Sequence, residues 1–243
     1  MITRERADRL LVARGLFESR RRAQRAIAAG LVTADGVPVC KASEEISSTA
    51  AIEAAPEHPY VSRGGVKLAA ALDHFHFDVI DRVCLDVGAS TGGFSEVLAL
   101  RGARRIYAID VGTDQLHPRL RDNEKIVSIE KTDIRRLDPS QLPEKPDFAT
   151  IDVSFISLKL VIPAVAKLLK PRTQILALIK PQFEAQRRDI KKGIVRDAVV
   201  REAIRDGVAA YLTSLGWHIG GLAPSTIRGS SGNYEFFVEA ERG

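Results

Sequence analysis

The stretch Leu85-Asp86-Val87-Gly88-Ala89-Ser90-Thr91-Gly92-Gly93-Phe94 constrains this chain more than any other. An apolar run from Val83 to Val87 stops at a cluster of three glycines, and Phe94, Val97, Leu98 and Leu100 then recur at helical spacing. That pattern predicts a strand, a tight turn and a helix. Strand and helix patterns go on alternating through residues 105–110, 115–120, 125–130, 146–152, 158–169 and 173–180, the βα repeat of a doubly wound parallel sheet of the α/β class. Residues 197–214 read as a long helix with Val199, Ala203 and Val208 facing inward. The strands 217–222 and 234–240 have no helix between them and should pair antiparallel. A helix over 66–74, carrying Lys67, precedes the first strand of the sheet.

In open parallel sheets ligands bind outside the carboxyl ends of the strands, so the turn is a candidate cofactor site. A dinucleotide fingerprint needs glycine at its first, third and sixth positions; counted from Gly88 these are Gly88, Ser90 and Gly93. The glycine that would admit a pyrophosphate is missing, and no Gly-Lys-Ser/Thr follows for a triphosphate loop. What remains is an acid, Asp86, before a glycine turn. That suits a ligand with an ammonium group, such as the methionine part of S-adenosylmethionine, its carboxylate facing the helix N-terminus. The candidate cofactor residues are therefore Asp86, Gly88, Ala89, Ser90, Thr91, Gly92, Gly93 and Phe94, against the alternative of a purely structural turn. Three more acids close strands at the same edge: Asp110, Asp133 and Asp152. Each alone could be a helix cap. Asp110 follows Gly88 by 22 residues, near the spacing that reaches ribose hydroxyls, which leaves Asp133 for the adenine amino group.

Lys180 closes the apolar strand 175–179, and Asp152 ends the strand before it. Such a lysine is commonly a snorkelling end residue; it acts as a base only if burial outweighs the pull of nearby carboxylates. Glu235 interrupts Tyr234, Phe236 and Phe237 and in isolation reads as an edge-strand charge. Arg187, Arg188, Lys191, Lys192 and Arg196 form a basic patch just after Lys180, read as an RNA-guiding loop that is mobile until RNA or cofactor binds.

With 243 residues, 45% of them hydrophobic, the chain can build one large domain and a small one. Its start lacks the apolar core of a signal peptide, and its most apolar later run is broken by Lys159, Pro163 and Lys167, so no membrane span is expected. Cys40 and Cys84 make no disulfide framework, and a cytoplasmic location follows. No metal is called for.

Residues 1–30 carry eight arginines against three acids, a local +5 that equals the formal charge of the whole chain. Charge runs are usually solvated faces. Here nearly all the charge is arginine, whose planar fork suits phosphate, on two short helices, one over 6–14 and one between Ser19 and Gly30, able to present one basic face to RNA. Arg4, Arg6, Arg14, Arg20, Arg21, Arg22 and Arg25 are the candidates, with Arg63 further on. Ser19 is a plausible N-cap and Gly30 a stop, and residues 31–33 and 37–40 flank an Asp35-Gly36 hairpin turn. The domains expected are 1–55, a proline-containing linker over 56–63, and 64–243.

Arg6-Ala7-Asp8, Gly15-Leu16-Phe17-Glu18-Ser19-Arg20, Ala23 and Ala29-Gly30 before a hairpin resemble the S-four RNA-binding domain, with Ala34-Asp35-Gly36 in place of the usual Val-Asn-Gly. The segments 60–68, 86–94, 151–157 and 179–184 resemble the TlyA (hemolysin A) family, which joins an S-four domain to an FtsJ-like methyltransferase. The resemblance implies a Rossmann-like, S-adenosylmethionine-dependent enzyme that methylates ribose 2′-hydroxyls of ribosomal RNA, at cytidines, through a Lys-Asp-Lys-Glu tetrad. Matched by position, the tetrad is Lys67, Asp152, Lys180 and Glu235. It implies ribosomal RNA or ribosomal subunits as partner and identifies no protein partner. Phe155 is a candidate to stack on a flipped base. Two other classes compete with this reading: a cytolysin, suggested only by the hemolysin name and lacking a signal peptide or amphipathic pore segment, and a non-catalytic RNA-binding assembly factor, against which the complete tetrad argues.

Overall fold

The computed structural model describes residues 3–229 and 231–243. They group into two compact units, Met1–Pro59 and Tyr60–Gly243.

In the first unit, strand β1 (Arg4–Arg6) leads into helices α1 (Ala7–Ala13) and α2 (Arg20–Ala28), followed by β2 (Val32–Ala34), β3 (Val37–Pro38), β4 (Glu45–Ser47) and β5 (Ile52–Ala54). The Ser19 hydroxyl accepts from the Arg22 amide at 3.4 Å and starts α2. Asp35 and Gly36 both have positive φ, 51° and 77°, which matches the right-handed twist of the β2–β3 hairpin. Leu10, Leu11, Phe17, Ile27, Val32 and Ile46 form its core. The sequence does not predict the pairing of β1 with β4: Arg4-Glu5-Arg6 has no apolar alternation, and its only partner among the described residues is another three-residue strand.

The second unit opens with α3 (Arg63–His74), then β6 (Val83–Val87), α4 (Gly93–Leu100), β7 (Arg105–Ile109), α5 (Pro118–Arg121), β8 (Ile126–Ile129), β9 (Phe148–Ile151), α6 (Leu158–Leu168), β10 (Thr173–Ile179), α7 (Pro181–Glu184), α8 (Ala198–Ser214), β11 (His218–Pro224) and β12 (Phe236–Arg242). The seven strands lie in the order β11-β12-β10-β9-β6-β7-β8. Strands β6 to β10 run parallel, while β12 inserts antiparallel between β10 and β11. Alternation along each strand divides the apolar side chains between two cores. Val83, Leu85 and Val87 face α6 and α8, and Cys84, Ile106 and Phe148 face α3 and α4. This is the doubly wound parallel sheet that the alternating pattern predicted, and the Rossmann-like sheet that the family resemblance implied.

One expectation is corrected. Val199 is 73% exposed and Ala203 is exposed as well; the inward face of α8 is Ile204, Val208 and Leu212. The basic segment after Lys180 has defined structure: a 3-10 turn at Arg187–Asp189 and a bridge between Lys191 and Ile194. The buried Asn233 holds it, accepting from the Val195 amide at 3.2 Å and donating to the Gly193 carbonyl at 2.9 Å.

Candidate active site

A cleft of about 710 Å³ opens at the carboxyl ends of β6 to β9. It forms where the strand order reverses, since β6 has β7 on one side and β9 on the other, and chains leaving β6 and β9 part there. At that junction a Cβ on Gly88 would stand 2.6 Å from the Asp152 carbonyl oxygen, and Gly88 has φ +82°. Only glycine fits there.

Gly88 and Ser90 line the cleft with Asp110, Asp133, Asp152 and Phe155. Asp110 is held by the chain itself, accepting from the Ser90 amide at 2.8 Å and the Gly112 amide at 2.7 Å. Asp133 caps the turn Ile134–Arg136 through the Arg135 amide and pairs with the Arg135 guanidinium at 2.5 Å. That guanidinium pulls its carboxyl down to about 2.

The rest of the glycine turn does other work. Asp86 is fully buried and does not line the cleft. It accepts from Ser95 Oγ at 2.6 Å and Thr150 Oγ1 at 2.9 Å, tying β6 to α4 and β9. Burial pushes its carboxyl up to about 7. The expected contact of Asp86 with a ligand ammonium is thereby corrected, because strand alternation turns it beneath the helix. Ala89 is buried, and Thr91 lies outside the cleft lining. Gly92 is the left-handed N-cap of α4, Gly93 lies against Ser62 and Gly65, and Phe94 stacks on Phe237 with centroids 6.3 Å apart. These three seat α4 on the rest of the unit.

The tetrad residues form two ion pairs. Lys180 Nζ lies 2.6 Å from Asp152 Oδ1 and 2.9 Å from Ser154 Oγ. Lys67 Nζ lies 2.6 Å from Glu235 Oε2. Ile179 pairs with Phe236 at the end of the β10–β12 ladder, so Lys180 and Glu235 are the next residues beyond a shared register position. Asp152 extends β9, the neighbour of β10 on its other side. Three adjacent strand ends and α3 thus supply two lysines and two carboxylates beside the cleft. Ser154 and Phe183 also line it and were not singled out in the sequence; neither residue type is distinctive without its neighbours.

Phe155 is 92% exposed and has φ +64°, a backbone conformation that bulky residues rarely adopt. Its ring meets Phe183 at 5.0 Å. A bulky residue held in this backbone conformation is strained.

Of the candidate RNA-binding arginines, several have structural partners. Arg6 and Arg20 both grip the buried Asp8, at 3.1 and 2.7 Å, and hold its carboxyl far below the usual range. Arg14 donates to the Ala50 carbonyl at 2.6 Å and to that of Ser48. Arg4 donates to the Glu45 carbonyl at 2.5 Å, and Arg22 pairs with Glu18 at 2.8 Å. Arg63 donates to the Arg228 carbonyl at 2.6 Å. Arg21, Arg187, Arg188, Lys191 and Lys192 are exposed, while Arg25 is half-buried.

Residues 60–242 match the FtsJ-like methyltransferase family, and residues 5–52 match the S4 domain. The chain is 42% identical over 241 residues to the Mycobacterium tuberculosis 16S/23S rRNA (cytidine-2′-O)-methyltransferase TlyA, covering 98% of this chain and 90% of the relative. It is 39% identical over 235 residues to hemolysin A of Brachyspira hyodysenteriae, covering 96% of this chain and 98% of the relative. A solved structure from Streptococcus thermophilus, described as a candidate hemolysin, superposes with a TM-score of 0.78 at 42% identity, over 100% of this chain and 90% of that one. With the cleft and the two lysine–carboxylate pairs at its sheet edge, the chain belongs to the FtsJ-like methyltransferases, in the TlyA branch that also carries an S4 domain.

Proposed function

We propose that the protein transfers a methyl group from S-adenosylmethionine to the 2′-hydroxyl of a cytidine in ribosomal RNA, free or within a ribosomal subunit, in the cytoplasm. The observation that carries this reading is the juxtaposition of the pairs Lys180–Asp152 and Lys67–Glu235 with a cleft suited to a nucleoside.

The cleft's donor set fits that cofactor. Asp110, fixed by two amides, offers carboxylate oxygens to a ribose diol. Asp133 lies further along the same wall for the adenine amino group, and Gly88 and Ser90 leave room for the amino-acid end. When bound, the cofactor supplies a methyl carbon already activated by a sulfonium. The protein's task is then alignment and charge. A ribose hydroxyl attacking in line loses its proton either to Lys180 acting as a neutral amine, oriented by Asp152 and Ser154, or to bulk water while a charged Lys180 stabilises the developing alkoxide. The buried Lys67–Glu235 pair, outside the cleft lining and beside Lys180 in the strand register, completes the tetrad that orients the ribose. Phe155 stacks on the target base once it leaves its neighbours, and Phe183 buttresses it. The exposed cations at 187–192 follow the RNA backbone, and the first unit's Arg6, Arg20 and Arg21, with the other arginines there, grip it at a second place.

Mass spectrometry of ribose methylation in ribosomal RNA from cells with and without the protein tests this reading. One nucleotide that loses its 2′-O-methyl group is expected, and unchanged methylation throughout would refute it. Among the described residues no helix is long and apolar enough to cross a membrane. Lysis of red cells by the purified protein, undiminished in Lys180→Ala, would favour the cytolytic reading instead.

A further inference from the structure

The turn that carries Phe155 is gripped at both ends by one short helix. At its start, Asp152 and Ser154 are held by Lys180, the residue that opens α7. At its end, Ser157 Oγ donates to Glu184 Oε2 at 2.5 Å and the Leu158 amide to Glu184 Oε1 at 2.7 Å. Glu184 closes the same four-residue helix. Between the two grips the Phe155–Phe183 contact is the only ring contact of the turn among the described residues. Val153 and Ile156 on either side pack against the core, while Phe155 itself stands exposed in a left-handed conformation.

We infer that Glu184 is a positioning residue for methyl transfer: by clamping Ser157 and Leu158 it fixes where the Phe155 ring stands relative to Lys180. The inference rests on the methyltransferase reading proposed above. Both oxygens of Glu184 are committed to this loop, and the carboxyl is half-buried without a salt-bridge partner among the described residues. Burial raises it above the usual range even with two donors on it. A simple helix cap is the competing explanation. Ser157 caps α6 through the Lys159 amide at 3.2 Å and Glu184 adds the Leu158 amide, so capping accounts for one Glu184 oxygen, while the other, on the Ser157 hydroxyl, ties Glu184 to the turn itself.

The two explanations part in a double-mutant cycle on the full-length protein with labelled cofactor and ribosomal subunits. Glu184→Ala is expected to lower the single-turnover rate by about tenfold to a hundredfold, as misplacement of a substrate-positioning group does. Phe155→Ala should lower it comparably, and the double variant should be no slower than the slower single. Glu184→Gln keeps an acceptor for the Leu158 amide and a polar partner for Ser157, so it should recover most of the rate. If Glu184→Ala does not fold, Ser157→Ala opens the same clamp from the other side and takes its place in the cycle. Losses that multiply in the double variant, or a Glu184→Gln protein as slow as Glu184→Ala, would overturn the inference. A wild-type protein that transfers no methyl group to either subunit would overturn the parent reading as well, which keeps the two failures apart.

Discussion

Lys67 Nζ and Glu235 Oε2 meet at 2.6 Å across 168 residues of chain, with both side chains buried. Removing either partner leaves a buried charge unpaired, so Lys67→Ala or Glu235→Ala should cost about 3–5 kcal/mol in urea unfolding. Lys67→Met combined with Glu235→Leu should restore most of that stability while methyl transfer stays absent. A stable and fully active double variant would show the pair to be structural only.

Lys180 does not line the cofactor cleft, whereas Asp152 does. Lys180→Ala should therefore lower kcat by about 10²–10³-fold and leave cofactor affinity within a few-fold. Asp152→Ala should weaken both. Calorimetric titration with the cofactor and single-turnover transfer separate these effects; full transfer rates in both variants would remove the catalytic assignment.

Asp86 titrates near 7 in the folded protein, against about 3.9 in an unfolded chain. Between those values the native state holds a proton the unfolded state has released, so this residue's contribution to stability falls as pH rises from about 4 to 7 and is level above that. Asp86→Asn should remove the slope, gaining on the wild type by up to a few kcal/mol across that window. Urea midpoints at pH 4.5, 5.5, 6.5 and 7.5, in which the wild type loses about 0.5 M or more per pH unit relative to the variant up to about pH 6.5 and little beyond, read the difference directly; parallel curves would mean that Asp86 stays ionised.

A methyl group on Gly93 would lie 2.1 Å from Ser62 Oγ and 2.9 Å from the Gly65 amide nitrogen. Gly93→Ala should force α4 away from α3 and cost about 1–3 kcal/mol. Gly207, inside α8 with nothing within 4 Å of its added Cβ, should behave oppositely, Gly207→Ala stabilising by about 0.5–1 kcal/mol. Thermal melts of both variants check the contrast.

The arginines of the first unit should split into two groups. Arg21 is exposed, so Arg21→Ala should weaken binding to ribosomal subunits and reduce its salt slope by about 1, with stability changed by less than about 0.5 kcal/mol. Asp8→Ala, which releases Arg6 and Arg20 together, should lose both binding and stability. Salt-dependent binding and melting of the two variants decide the division.

Much of this was legible in the chain of letters, and the reasons differ by residue. The βα alternation was visible because buried parallel strands are nearly continuous apolar runs, and the antiparallel β11–β12 pair because no helix pattern separates it. The tetrad became legible only through resemblance: Glu235 looks like an edge charge until the β10–β12 register sets it level with Lys180. Asp86 misled because an acid at a strand end reads alike whether it turns to the cleft or under the next helix; Ser95, a hydroxyl one turn into that helix, was the signal for the second. Val199 and Ala203 misled because helix periodicity names a spacing but not which stripe meets the sheet. Glu184 went unweighed because its partners lie 26 and 27 residues away.

At Gly88 the donor turn and the Asp152 backbone touch with no side chain between them. This contact acts as a fixed datum from which donor and acceptor positions are both measured. The end of the cleft proposed for the adenosine, lined by separate side chains at Asp110 and Asp133, can be reshaped one residue at a time. The end where the methyl group crosses cannot, because widening one wall drags the other with it. Altered cofactor analogues should thus be easiest to accommodate at the base and the ribose, and hardest at the sulfonium.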